Sequence, residues 1–159
     1  MSGFIDNFYK SDPIVAFNYV LRVEGLYDIP CKSVRAFSKK NAYEYIQQGG
    51  LNDHVILKRK PITEPFTFQI ERYTSNSVTD PLANGAELTL PVFLQVLKQP
   101  DKGFMDNETS RVYVFTGCVV TEKEYGEMNA EKSGLQTEIV TIAYNELYVV
   151  PGLFSLGGM

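Results

Sequence analysis

The strictest constraint in this sequence is a period of two. In "FNYVLRVEG", Phe17, Tyr19, Leu21 and Val23 fall on one side, Asn18, Arg22 and Glu24 on the other, and Gly25 closes the run. "FTFQIERY" repeats the pattern, with Phe66, Phe68 and Ile70 alternating with Thr67, Gln69 and Glu71. Successive side chains of an extended chain point to opposite faces, so such alternation describes strands wet on one side and buried on the other. A second, more polar strand is predicted from Ser33 to Ile46. "AELTLPVFLQVLK" places Leu88, Leu90, Val92, Leu94 and Val96 on one side, and Pro91 within it predicts a sheet edge or a bulge. "RVYVFTGCVV" is apolar on both faces, as a central strand would be. The final strand covers "EIVTIAYNELYVV", with Val140, Ile142 and Tyr144 on one face and Pro151 and Gly152 as its stop.

Helix signals are scarce. In "TDPLANGAE", Thr79 or Asp80 serves as an N-cap and Pro81 as the first helical residue, which predicts one or two turns. "EKEYGEMNAEKSG", charged and interrupted by Gly126, reads as a loop. The expectation is a single domain over 1–159, mainly β and mostly antiparallel. It would be a sandwich or barrel of about seven strands with at most one short helix.

The totals exclude several classes of function. A chain of 159 residues with 44% hydrophobic and 21% charged residues has material for a real core and is not of disordered type. A net charge of −4 argues against a basic nucleic-acid footprint. The local cluster Lys58, Arg59 and Lys60 reads as a charged strand face. No run approaches the roughly 20 apolar residues of a membrane span. The start "MSGFIDNFYK" has neither the basic nor the apolar segment of a signal peptide, so a soluble protein made in the cytoplasm is expected. Cys31 and Cys118 match no metal spacing and read as free, packed thiols.

Catalytic constellations are equally poor. His54 is the one histidine, so any Ser-His-Asp or Cys-His arrangement must be built around it, yet turn chemistry explains its neighbour Asp53. The carboxylate pairs Glu122 with Glu124 and Glu127 with Glu131 lack apolar neighbours and read as a solvated loop. "GLFSLGG" lacks the strand-to-helix setting and the Lys of a phosphate loop. No enzyme, cofactor or metal is expected. Tyrosines, by contrast, are frequent: Tyr43, Tyr45, Tyr113, Tyr125 and Tyr148 fall in or beside strands. Most are explained by packing with a wet hydroxyl, but such residues also mark protein interfaces.

One stretch fits none of this chemistry. In "YIQQGGLNDHVILKRK", Tyr45 leads out of one strand and Val55, Ile56 and Leu57 lead into another. The intervening Gln47, Gln48, Gly49, Gly50, Leu51, Asn52 and Asp53 exceed what a tight hairpin needs. We read residues 46–54 as a polar arm suited to extending a neighbouring subunit's sheet, the alternative being a plain surface loop. Gly49 and Gly50 would turn it at positive φ, and Gln47, Gln48, Asn52 and Asp53 would supply hydrogen bonds.

"FNYVLRVEG", "QQGGLNDHVILKRKP" and "FTFQIERY", followed by "VYVFTGCVVTEKEYGEMNAEKSGLQTEIVTIAYNELYVV", together resemble the contractile tail tube proteins. That family includes phage tail tubes and contractile injection inner tubes, and is related to the haemolysin-coregulated tube protein of type VI secretion. The matching positions in the closing half are Phe115, Gly117, Cys118, Met128, Asn129, Ala130, Glu138 and Ile142. Phe115 stands where the family carries Trp, and the helix after the first strands is shortened to "TDPLANGAE". The resemblance implies two roughly orthogonal antiparallel sheets forming a small β-barrel beside a helix. It implies six copies in a ring and rings stacked into a hollow tube. Its partners would be a contractile sheath, baseplate, spike and tube-initiator proteins, and lumenal DNA or protein cargo. Assembly would be cytoplasmic, into a phage tail or tail-like particle that engages no membrane at rest. Glu44, Glu71 and Glu138 are candidate lumen or sheet-surface carboxylates. The alternatives are a tube initiator or terminator and a monomeric β-barrel with a small ligand.

Overall fold

The computed structural model describes residues 19–47, 49–50, 54–74, 79–97 and 109–151. They form eleven strands: β1 (Tyr19–Val23), β2 (Tyr27–Ile29), β3 (Ser33–Val34), β4 (Tyr43–Gln47), β5 (Val55–Arg59), β6 (Phe66–Tyr73), β7 (Val92–Leu97), β8 (Thr109–Thr116), β9 (Val119–Tyr125), β10 (Thr137–Tyr144) and β11 (Glu146–Pro151). A five-stranded sheet has the order β11-β8-β7-β1-β2, and a four-stranded sheet the order β3-β6-β10-β9. β4 and β5 pair with each other as a third, two-stranded sheet. All pairings are antiparallel.

The period of two becomes the core. Leu21, Val23, Val92, Leu94 and Phe115 of the first sheet meet Phe68, Ile70, Val120, Val140, Ile142 and Tyr144 of the second. Phe68 stacks on Phe115 with ring centroids 4.2 Å apart, and Tyr144 meets Phe115 edge-on at 4.9 Å. The buried Tyr144 hydroxyl donates to the Ser38 carbonyl at 2.5 Å, which satisfies its polar end.

Two expected strands each prove to be two. The run around "RVYVFTGCVV" leaves the first sheet at Thr116, turns at Gly117 and enters the second sheet as β9. The terminal run makes the reverse passage, from β10 through Asn145 to β11. The two corners touch: Asn145 N–H donates to the Thr116 carbonyl at 2.9 Å. Gly117 has a φ of +63°, and a Cβ there would lie 2.3 Å from Asn145 Nδ2. Strand exchange through bends of this kind belongs to orthogonally packed sheets. Gly117→Ala is therefore expected to cost roughly 1–3 kcal/mol, from left-handed backbone strain and the clash together. Urea denaturation checks this, and an unchanged midpoint would mean that the corner yields freely.

Other expectations need correction. The strand predicted from Ser33 to Ile46 breaks after Val34, because Phe37 turns inward against Tyr113 and Phe115 at 4.9 and 5.2 Å. Pro91 marks neither an edge nor a bulge. It stands just before β7, a strand paired on both sides by β1 and β8, and the register shift falls between Val96 and Leu97. A proline outside the ladder removes no ladder donor.

The described residues contain no helix. Asp80 does accept from the Leu82 N–H at 3.1 Å, as a cap would. The following backbone is instead bound to β9, with Gly85 N–H on the Val120 carbonyl and Val120 N–H on the Ala86 carbonyl. "EKEY" belongs to β9, so Glu122 and Glu124 are exposed strand residues rather than loop residues. No closed barrel forms among the described residues, since the first sheet ends at β11 and β2 and the second at β3 and β9. Large side chains from both sheets pack against one another in the space between them.

Candidate assembly surfaces

The β4–β5 hairpin stands apart from the body. In the ladder Tyr43 faces Arg59, Glu44 faces Lys58, Tyr45 faces Leu57, Ile46 faces Ile56 and Gln47 faces Val55. Directly opposed residues share a face of a sheet. One face thus carries Tyr43, Tyr45, Val55 and Leu57, and the other carries the Ile46–Ile56 pair beside Glu44 and Lys58. Both faces are open, with Tyr45 76% and Leu57 60% exposed. Polar contacts secure its base: Arg59 donates to Asn41 Oδ1 at 2.8 Å and Lys60 N–H to the Ala42 carbonyl at 2.8 Å. An isolated two-stranded ribbon is marginal in water, and one exposing large apolar side chains on both faces calls for a covering partner.

Of the predicted arm residues, Gln47 ends β4 and Gly49 and Gly50 lie in the turn. Gly50 takes a φ of +99°, whereas Gly49 needs no left-handed conformation. Gln48, Leu51, Asn52 and Asp53 lie outside the described residues. Sequence reasoning stressed the polar tip and passed over the apolar stem. The signal was present in Val55, Ile56 and Leu57, since three consecutive apolar residues in a strand occupy both of its faces.

The sheet edges differ in chemistry. β9 carries the exposed Glu122 and Glu124, charges that discourage edge pairing. β2 is three residues long, and its Asp28 is tied to Arg22 at 2.8 Å. β11 has no such guard in its middle, where Tyr148, Val149 and Val150 are 55%, 50% and 40% exposed. Tyr148 had been noted from sequence, but as one tyrosine among several.

The candidate carboxylates separate. Glu44 lies on β4, 4.0 Å from Lys58 Nζ. Glu71 accepts from Ser33 Oγ at 3.3 Å and Lys32 Nζ at 3.5 Å. Glu138 is no sheet-surface residue, being only 4% exposed. It accepts from Arg72 Nε at 2.5 Å, while the same guanidinium reaches Asp80 at 2.6 Å and Lys123 also binds Asp80 at 2.6 Å. Two cations and two anions thus neutralise one another within the fold. Burial opposes the Asp80 charge, yet hydrogen bonds from Arg72, Lys123 and the Leu82 N–H outweigh it and hold the carboxyl at about 2.

The remaining chemical candidates stay apart. His54 is exposed at the foot of β5. Cys31 and Cys118 are unpaired thiols, each pushed up to about 11 by burial, which suits packing rather than nucleophilic work. Among the described residues no group of three His, Cys, Asp or Glu side chains could hold a metal ion.

No protein-family model matches the chain, and neither does any curated protein. Solved structures do. A chain of the 6-fold symmetrised anti-feeding prophage baseplate superposes with a TM-score of 0.68 at 12% identity, covering 91% of this chain and 99% of that one. A chain of the sheath/tube terminator of the extracellular contractile injection system PVC, in its extended state, gives 0.68 at 10% identity, covering 89% and 99%. A chain of the extended PVC sheath–tube complex gives 0.67 at 12% identity, covering 92% and 97%. The chain has the fold of contractile injection system components. At these identities the likeness is one of fold, and it spans nearly the whole of each matched chain.

Proposed function

We propose that this protein is a structural subunit of the inner tube of a contractile injection apparatus, acting as a mechanical conduit rather than a catalyst. The observation that carries the reading is the whole-length fold likeness to a chain of a sheath–tube complex. The detached apolar hairpin and the unguarded β11 edge support it, because both are surfaces that further copies would cover. Copies close into hexameric rings, the rings stack helically, and a contractile sheath surrounds the tube. A baseplate with spike and initiator stands at one end, and DNA or protein cargo passes through the lumen. The excess of acidic residues would keep DNA from adhering to the tube. Glu44 and Glu71 remain lumen candidates, and the particle is a phage tail or a tail-like injection device.

A place at the tube end is the second reading, favoured by the equal likeness to a chain of the PVC terminator structure. Negative-stain microscopy of the concentrated, purified chain distinguishes the two. Hollow tubes of indefinite length are the expected result for the inner-tube subunit. Single rings that do not stack would place the protein at an end, and small solitary particles would overturn both readings.

A further inference from the structure

A groove of about 310 Å³ opens between the first sheet and the segment after β3. Tyr19, Leu94, Val96 and Tyr113 wall it on one side and Phe37 on the other, with Arg35 and Arg111 among its lining residues. The two cations are in different situations. Arg35 donates to Gln69 Oε1 at 2.9 Å. Arg111 has a buried Nε with no hydrogen-bond partner, and no carboxylate among the described residues pairs with its guanidinium. A guanidinium whose Nε is buried without a partner beside apolar walls is costly in the free chain and is satisfied by a carboxylate arriving with apolar surface of its own.

The same chain offers such a segment. In the turn after β9, Glu127 and Glu131 are exposed and make no ion pair among the described residues, and Met128 between them is 79% exposed. Turn and groove stand apart on one copy. The groove lies where β1 begins, at Tyr19, whereas the turn springs from Tyr125, which shares a different groove with Tyr27, beyond the other end of β1. We infer that the Arg111 groove is the seat for the 127–131 turn of a second copy, with Met128 against the apolar walls and a flanking glutamate on Arg111. This contact rests on the self-assembly proposed above. Unlike surfaces meeting head to tail make a heterologous interface, the type that closes rings or extends filaments.

Arg111→Met separates this role from a purely structural one. The charge has no partner among the described residues, so the isolated variant should melt at or above the wild-type temperature. Its assembly should require at least ~10-fold more protein, since truncating a desolvated charge pair acts on dissociation. Arg111→Glu should abolish assembly, and adding Glu127→Lys and Glu131→Lys to it should restore assembly. A wild-type chain that never assembles overturns the tube reading and this contact together. Wild-type assembly with an indifferent Arg111→Met variant overturns the contact alone, as does a variant that melts early. Loss in Arg111→Glu without recovery in the charge swap rules out the 127–131 turn as the occupant.

Discussion

Replacing Arg72 by Met is expected to lower folding stability by about 3–5 kcal/mol, the cost of leaving a buried charge without its partner. Glu138 is 4% exposed and accepts from Arg72 Nε at 2.5 Å, so it has no route to water when the guanidinium is removed. Asp80 keeps Lys123 at 2.6 Å, which spares one of the two anions. For a domain of this size the loss corresponds to a thermal midpoint lower by roughly 6–20 °C. Arg72→Met combined with Glu138→Leu should recover much of it, because an apolar pair escapes the desolvation cost of both ions. A single variant melting within a degree or two of wild type would show that the cluster contributes nothing to stability.

Acid has a defined effect on the same cluster. The Asp80 carboxyl falls from 3.8 to about 2 on folding. A group depressed in the folded state stabilises fully above its unfolded value, and that stabilisation is lost as pH falls through the folded value. Wild-type stability should therefore decline between pH 3.8 and about 2. Asp80→Asn should be less stable than wild type at neutral pH and show a shallower decline in that window. Parallel denaturation curves across it would rule out the linkage.

Loss of the arm should abolish assembly while sparing the fold. Deleting Gln48 to Asn52 shortens the tip, and the paired change Tyr45→Ser with Leu57→Ser strips apolar surface from one face. Tyr45 and Leu57 are opposed in the ladder and open to solvent, so the double serine variant should melt near the wild-type temperature, as surface changes usually do. Neither variant should form tubes. Circular dichroism and sedimentation of the two variants check both halves of the expectation. Normal tubes from either would mean that the ribbon projects for another reason.

Much of the interior was legible beforehand. Phe68 and Ile70 were assigned to one face of "FTFQIERY", and both are 1% exposed or less. Leu21 and Val23 were assigned likewise, and both are fully buried. The sequence reading of an arm rested on polar residues between β4 and β5, whereas the exposed apolar surface lies at Tyr45, Val55 and Leu57 in the strands themselves. The cluster of Arg72, Asp80, Lys123 and Glu138 was not visible. Its members are spread over 66 residues of chain and come together only through the pairing of β6 with β10 and of β10 with β9. The short helix at Asp80 failed for a related reason, since hydrogen bonds to β9 took the backbone that a helix would have used.

Alternation along the chain thus settled that this is a β protein and which side of most strands is dry, because a strand's two faces follow from the geometry of consecutive residues. Where a long apolar run stops belonging to one sheet and joins another was left to the assembled fold. Gly117 and Asn145 bend because each lies against the other, 28 positions along the chain, and a contact between distant segments leaves no local pattern to read.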